Sequence, residues 1–128
     1  MIRTELKRTA PIKRGTSRRK SSRPKMTPAR ANAKGQDCTL RLPGCQNARD
    51  TVVLCHLRMF GGGGLGIKPP DVEGCFACAH CHSILDGRAH LIPELAQALN
   101  YETIAWALIR TLRAQREAGV LIYKGESN

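Results

Sequence analysis

The run CFACAHCH, residues 75–82, places Cys75, Cys78, His80, Cys81 and His82 within eight positions. Thiolates and imidazoles bind transition metals, and their spacing decides which metal they suit. Three chemistries compete for this run. An iron–sulfur cluster would use Cys75, Cys78 and Cys81, but the ferredoxin pattern then needs Cys-Pro where this chain has Leu85-Asp86. Residues 78–82 also fit the C-x-x-C-H of covalent haem attachment. That modification follows export, and the basic N-terminus lacks the apolar core of a signal peptide. It would also leave Cys38 and Cys45 without a purpose. The third chemistry is a closed tetrahedral zinc site with four thiolates from two short knuckles. Cys78 and Cys81 form one knuckle, and Cys38 and Cys45 form the other, closed by the Pro43-Gly44 turn. Cys75 with Cys78 is an alternative register. The 78/81 pair is preferred because Cys75 lies in the apolar run GCFA, where a lone thiol packs as a small core residue.

Residues this far apart in the chain need secondary structure to bring them together. TVVLCHL, residues 51–57, is β-branched and apolar and predicts a buried strand. GCFA predicts a second strand running into the knuckle, and HSILDGR a short helix ended near Gly87. Between the strands, RMFGGGGLGIKPPD is a glycine- and proline-rich loop. It lacks the Lys-Ser/Thr and the following helix of a phosphate-binding P-loop, so it is not an ATP site. Pro93 starts a helical stretch, and Asn100 caps a longer helix over 101–118 that Gly119 ends. Ile104, Leu108 and Leu112 predict its core face, with Ala105 and Ile109 beside them. Arg110, Arg113 and Arg116 form its wet or DNA-facing side. VLIY, 120–123, predicts a last strand.

Charge divides the chain. Residues 1–34 carry twelve Lys/Arg against the single acid Glu5, so the whole formal charge of +11 lies there. Residues 35–128 balance nine cations with nine acids. The cationic segment, with Pro and Ser interleaved, cannot offset its ordering entropy by burial and is expected to be a disordered arm. Its natural partner is a polyanion, since Lys and Arg neutralising phosphates release condensed counterions. No apolar run approaches the length of a membrane span. A cytoplasmic protein with reduced cysteines is expected. At 128 residues with 4% aromatics, the chain gains from a metal staple.

Together, Cys38, Arg41, Pro43-Gly44, Cys45, Leu54, His56, Arg58, Lys68-Pro69-Pro70-Asp71, Ala77-Cys78, Cys81-His82 and Asp86 resemble a known family. It is that of the HNH, or ββα-metal, nucleases bracketed by two cysteine pairs, and more closely the small prophage-encoded YbcO-like nucleases. The likeness covers about residues 36–90. It implies a small zinc-stabilised ββα-metal domain at 36–92; with the C-terminal helical extension at 93–128 and the disordered basic arm at 1–35, both read from composition and periodicity alone, the expected fold class is α+β. It implies a metal-dependent DNA endonuclease in the host cell of a phage, with phage or host recombination proteins as partners. His56 stands at the general base and His82 at the catalytic-metal ligand. Two positions depart from the family pattern: Cys55 replaces the Asp or His before the base, and the middle asparagine has no counterpart near Glu73-Gly74.

The catalytic metal, Mg²⁺ or another divalent ion, therefore needs other ligands. Asp86, one helical turn from His82, is the first choice, with His90 and Asp71 as further candidates. Arg14, Arg18, Arg19 and Lys20 of the arm, with Arg58 and Arg88, are the expected DNA contacts. In this reading Cys78 and Cys81 build, His82 does chemistry, Cys75 packs and His80 is an exposed bystander. The alternative is a non-catalytic zinc module that binds nucleic acid.

Overall fold

A computed structural model describes residues 25–60, 64, 66–89 and 91–125. The element order is α1 (Pro28–Asn32), β1 (Val53–His56), β2 (Gly74–Ala77), α2 (Ala79–Leu85), α3 (Pro93–Ala98) and α4 (Tyr101–Glu117), with single helical turns at Arg49–Thr51, Arg58–Phe60 and Asp71–Glu73. The two predicted strands pair antiparallel, with Val53 opposite Ala77, Leu54 opposite Phe76, Cys55 opposite Cys75 and His56 opposite Gly74. Every residue of β2 is buried, because β1 lies along one of its edges and α4 packs across it. Among the described residues, no helix is long and apolar enough to cross a membrane.

The second edge of β2 is closed by Thr39 and Thr111 rather than by a strand. The Phe76 carbonyl accepts from Thr39 N–H at 2.8 Å and from the Thr39 hydroxyl at 2.9 Å. Phe76 N–H donates to Thr111 Oγ at 3.0 Å, and Thr111 donates to the Ala107 carbonyl of its own helix at 2.9 Å. Thr111 is fully buried, so its hydroxyl ties α4 to the sheet. Thr111→Val keeps the shape but orphans Phe76 N–H. We expect it to lower the urea-unfolding free energy by about 1–3 kcal/mol with an unchanged m-value.

The C-terminal helix has the predicted limits for identifiable reasons. Asn100 accepts from Thr103 N–H at 2.9 Å as the N-cap. At the other end Gly119 takes φ +68°, while Val120 N–H bonds Gln115 and Gly119 N–H bonds Arg116, a Schellman closure. Its buried face differs from the predicted one. Ile104, Ala107, Thr111 and Gln115 are buried, Leu108 is partly so, and Ala105 and Ile109 are exposed. The deciding contacts are polar ones to Thr39 and Phe76, which an apolar count does not register. Arg110 is not free on the outer face: it donates to the Thr39 carbonyl at 3.1 Å and lies 5.7 Å from the Trp106 ring centre. Residues 120–123 form no strand; the chain is spent in closing α4.

A second difference concerns the N-terminal segment. Most of the predicted disordered arm, including Arg14, Arg18, Arg19 and Lys20, lies outside the described residues. Its end does not stay irregular: residues 28–32 form α1, capped by Thr27, whose hydroxyl accepts from Arg30 N–H at 3.3 Å, with Pro28 at the first helical position. Much of the glycine loop (61–63 and 65) also lies outside the described residues.

Candidate metal centre and active site

Cys38, Cys45, Cys78 and Cys81 converge, with all four sulfurs within 4.8 Å of one another. The 78/81 register is the one that meets the first knuckle. Pro43 and Gly44 occupy the middle of a turn closed by Cys45 N–H on the Leu42 carbonyl at 2.9 Å, and Gly44 takes φ +81°. This is the type II arrangement that Pro-Gly favours. Cys78 precedes the first turn of α2 and Cys81 lies within it, so both thiols face the turn. Four sulfurs about 2.3 Å from a central ion would sit about 3.8 Å apart. The Cys45 and Cys78 sulfurs are 3.8 Å apart. The cluster could therefore hold a metal ion such as zinc. A hydrogen bond from Cys81, with help from the N–H groups of Arg41 and Cys78, holds the Cys38 thiol well below its ordinary value despite burial. Cys81 is correspondingly pushed up, chiefly by the same bond.

His80 is exposed but is no bystander. Its Nε2 lies 2.9 Å from the Pro43 carbonyl, which can only accept, so the ring donates and clasps one knuckle to the other. A Cβ at Gly44 would come within 3.1 Å of that ring nitrogen. Cys75 and Cys55 face each other across the strand pair, both buried. Burial, with the neighbouring sulfurs, pushes the Cys75 thiol up to about 12 and the Cys55 thiol above the ordinary thiol range. Both lie in the core and outside the four-cysteine cluster.

A cavity of about 490 Å³ is lined by His56, Arg58, Met59, Leu85, Asp86 and Arg88. Two elements supply it. His56 ends β1, and Arg58 opens the turn that follows. Asp86 and Arg88 come from the end of α2, where Gly87 at φ +69° and an Arg88 N–H to Ser83 carbonyl bond of 2.8 Å reverse the chain. Opposite His56 stands Gly74, whose Cβ would fall 2.9 Å from Leu54; a side chain there would push into the sheet.

The titratable side chains form two groups. His56 Nε2 is 2.8 Å from Asp71 Oδ1. Burial raises the Asp71 carboxyl, but hydrogen bonds from Thr27, His56 and Arg30 outweigh it and hold the group below its usual value. An ionised carboxylate only accepts, so His56 donates to it from Nε2. In the second group, Asp86 Oδ2 receives His82 Nε2 at 3.0 Å and Arg88 Nη2 at 2.8 Å. Asp71, a candidate metal ligand from sequence, is thus placed as the partner of His56. His82 reaches the cavity through Asp86 and is not among the residues lining it. His90 lies outside the described residues. The contacts of Asp71 with Thr27 and Arg30 escaped the sequence reading, since nothing local marks a bond spanning 44 or 41 residues.

Comparison with known proteins gives this geometry a family. "Putative nuclease YbcO" of Escherichia coli K12 is 41% identical over 68 residues, covering 52% of this chain and 71% of that protein. "Putative nuclease ybcO" of Enterobacteria phage 82 matches to the same extent. A solved structure, titled a putative bacteriophage protein from Escherichia coli K-12 MG1655, aligns with TM-score 0.53 and 31% identity, over 70% of this chain and 96% of that one. The family described as "Putative nuclease YbcO" matches residues 27–120, a stretch that runs from the cap of α1 to the closure of α4 and includes both knuckles, His56, Asp71 and Asp86; the chain belongs to that family.

Proposed function

We propose that the chain is an HNH-type endonuclease that hydrolyses DNA phosphodiester bonds, with zinc in the four-cysteine centre as a brace and a second divalent ion at the cavity. The observation that carries this reading is the His56–Asp71 pair at the rim of a cavity shared with Asp86, Arg58 and Arg88. The order β1, β2, α2, with a histidine ending the first strand and another in the helix, supports the HNH reading.

Phosphodiester hydrolysis needs a deprotonated water, a stabilised crowded phosphate and a neutralised leaving oxygen. His56 Nδ1 takes the proton of the attacking water, while Asp71 holds the ring and meets the charge that the imidazole gains. Arg58 and Arg88 line the wall against which a phosphate would rest, and guanidinium suits its paired oxygens. His82 and Asp86 would hold the divalent ion. Their donor atoms are 3.0 Å apart, matching adjacent ligands of an octahedral ion about 2.1 Å from each. When bound, Mg²⁺ or a similar ion would polarise the phosphate and offset charge on the leaving oxygen. A four-thiolate zinc has no open position and takes no part in the reaction. The cationic N-terminal segment would hold DNA by its backbone, without reading sequence.

Two results test this assignment. The zinc-loaded chain should nick supercoiled plasmid when Mg²⁺ or Mn²⁺ is added. Retardation of plasmid, linear duplex and branched DNA with no cleavage of any would instead establish a nucleic-acid-binding module. Asp86→Asn should raise the Mn²⁺ concentration for half-maximal cleavage by about 10- to 100-fold at unchanged zinc content; an unchanged Mn²⁺ requirement would remove Asp86 from the ligand set.

A further inference from the structure

Asp71 is where the N-terminal segment meets the cavity. Arg30 reaches Asp71 Oδ1 with Nε at 3.0 Å and Nη2 at 2.9 Å, the same oxygen that His56 Nε2 meets at 2.8 Å. The Thr27 hydroxyl donates to the other oxygen, Oδ2. The side chains of His56, Asp71 and Arg30 are only 12%, 18% and 24% exposed, so this is not a water-screened surface pair. Pro69 and Pro70 fix the backbone that enters Asp71, yet a carboxylate with one partner can still rotate about its own bonds. With Arg30 on one oxygen and Thr27 on the other, both are pinned, and the imidazole plane is pinned with them. Thr27 also caps the helix that carries Arg30, so one short element sets both contacts.

We infer that Thr27 and Arg30 are positioning residues of this site, acting through Asp71 on His56, and that α1 joins the cationic N-terminal segment to the base. The inference rests on His56 being the base. It takes Arg30 out of the pool of cations offered to DNA: its charge is directed at Asp71. Its loss should therefore appear in the rate of cleavage rather than in DNA affinity.

The test uses the full zinc-loaded chain in single-turnover cleavage of supercoiled plasmid. Arg30→Gln should lower the limiting rate about 10- to 100-fold, the range for a group that orients a reacting residue. The protein concentration for half-saturation should stay nearly constant, and Arg30→Lys should restore part of the rate. In an Asp71→Asn background Arg30→Gln should add nothing, because the two act as one unit. Weaker half-saturation at an unchanged limiting rate, or multiplying effects of Arg30→Gln and Asp71→Asn, would overturn the inference. A second readout is independent of cleavage: the ring-nitrogen NMR signals of His56. Wild type should show the Nε2–H tautomer with slow proton exchange, and Arg30→Gln and Thr27→Val should each speed that exchange. An unchanged His56 signal in both variants refutes the inference. A changed signal in a chain that cleaves nothing refutes the assignment of His56 as base and leaves the positioning role standing.

Discussion

Cys78→Ser is expected to abolish cooperative folding. The strands have only four residues each, and the first knuckle is held to α2 through the sulfur cluster and the His80 clasp. Structural zinc binding contributes about 10–16 kcal/mol in small zinc domains, as much as the whole stability of an ordinary domain, about 5–15 kcal/mol. Losing one of four thiolates should therefore remove both the metal and the folding transition, visible as loss of zinc and of a sigmoidal circular-dichroism melt. Cys75→Ala supplies the contrast. Its thiol is buried and protonated and outside the cluster, so that variant should keep its zinc and lose about 1 kcal/mol. A reversed pair of outcomes would put Cys75 in the knuckle in place of Cys78.

The second large effect is on chemistry. His56→Ala should reduce plasmid nicking by about 10²- to 10⁴-fold, the usual contribution of a positioned general base. Stability should change little, because Asp71 keeps Thr27 and Arg30 when the imidazole is gone. Zinc content should match wild type, since His56 is not one of the clustered ligands. Equal nicking by the two proteins would assign the base elsewhere.

Features set by near neighbours were legible in the sequence. TVVLCHL gave the strand Val53–His56, GCFA gave its partner, and Asn100 with Gly119 bounded the long helix to within a residue. Four thiols at knuckle spacing led to the cluster before any fold was known. What escaped was tertiary. The buried face of α4 is chosen by Thr111 meeting the open edge of β2, so Ile109 is left 40% exposed while two polar residues are buried. VLIY reads as a strand by composition, but its first amides are used to close the helix, and among the described residues no strand pairs with it. Asp71 was a candidate metal ligand because KPPD could hold it rigidly near the site. Its contacts with Thr27 and Arg30 come from a segment whose composition signals only charge. His80, likewise, was separated from its acceptor by 37 residues.

One experiment separates the proposed roles of the two metal sites directly. Zinc per chain and plasmid nicking are measured together, before and after a mild chelator strips weakly held ions, and again after Mg²⁺ is returned. With zinc as the brace and a second ion at the cavity, the chelator should stop nicking while one zinc and the folded state persist, and Mg²⁺ alone should restore the rate. Nicking that survives removal of every weakly held ion, or that returns only with zinc, would contradict those roles.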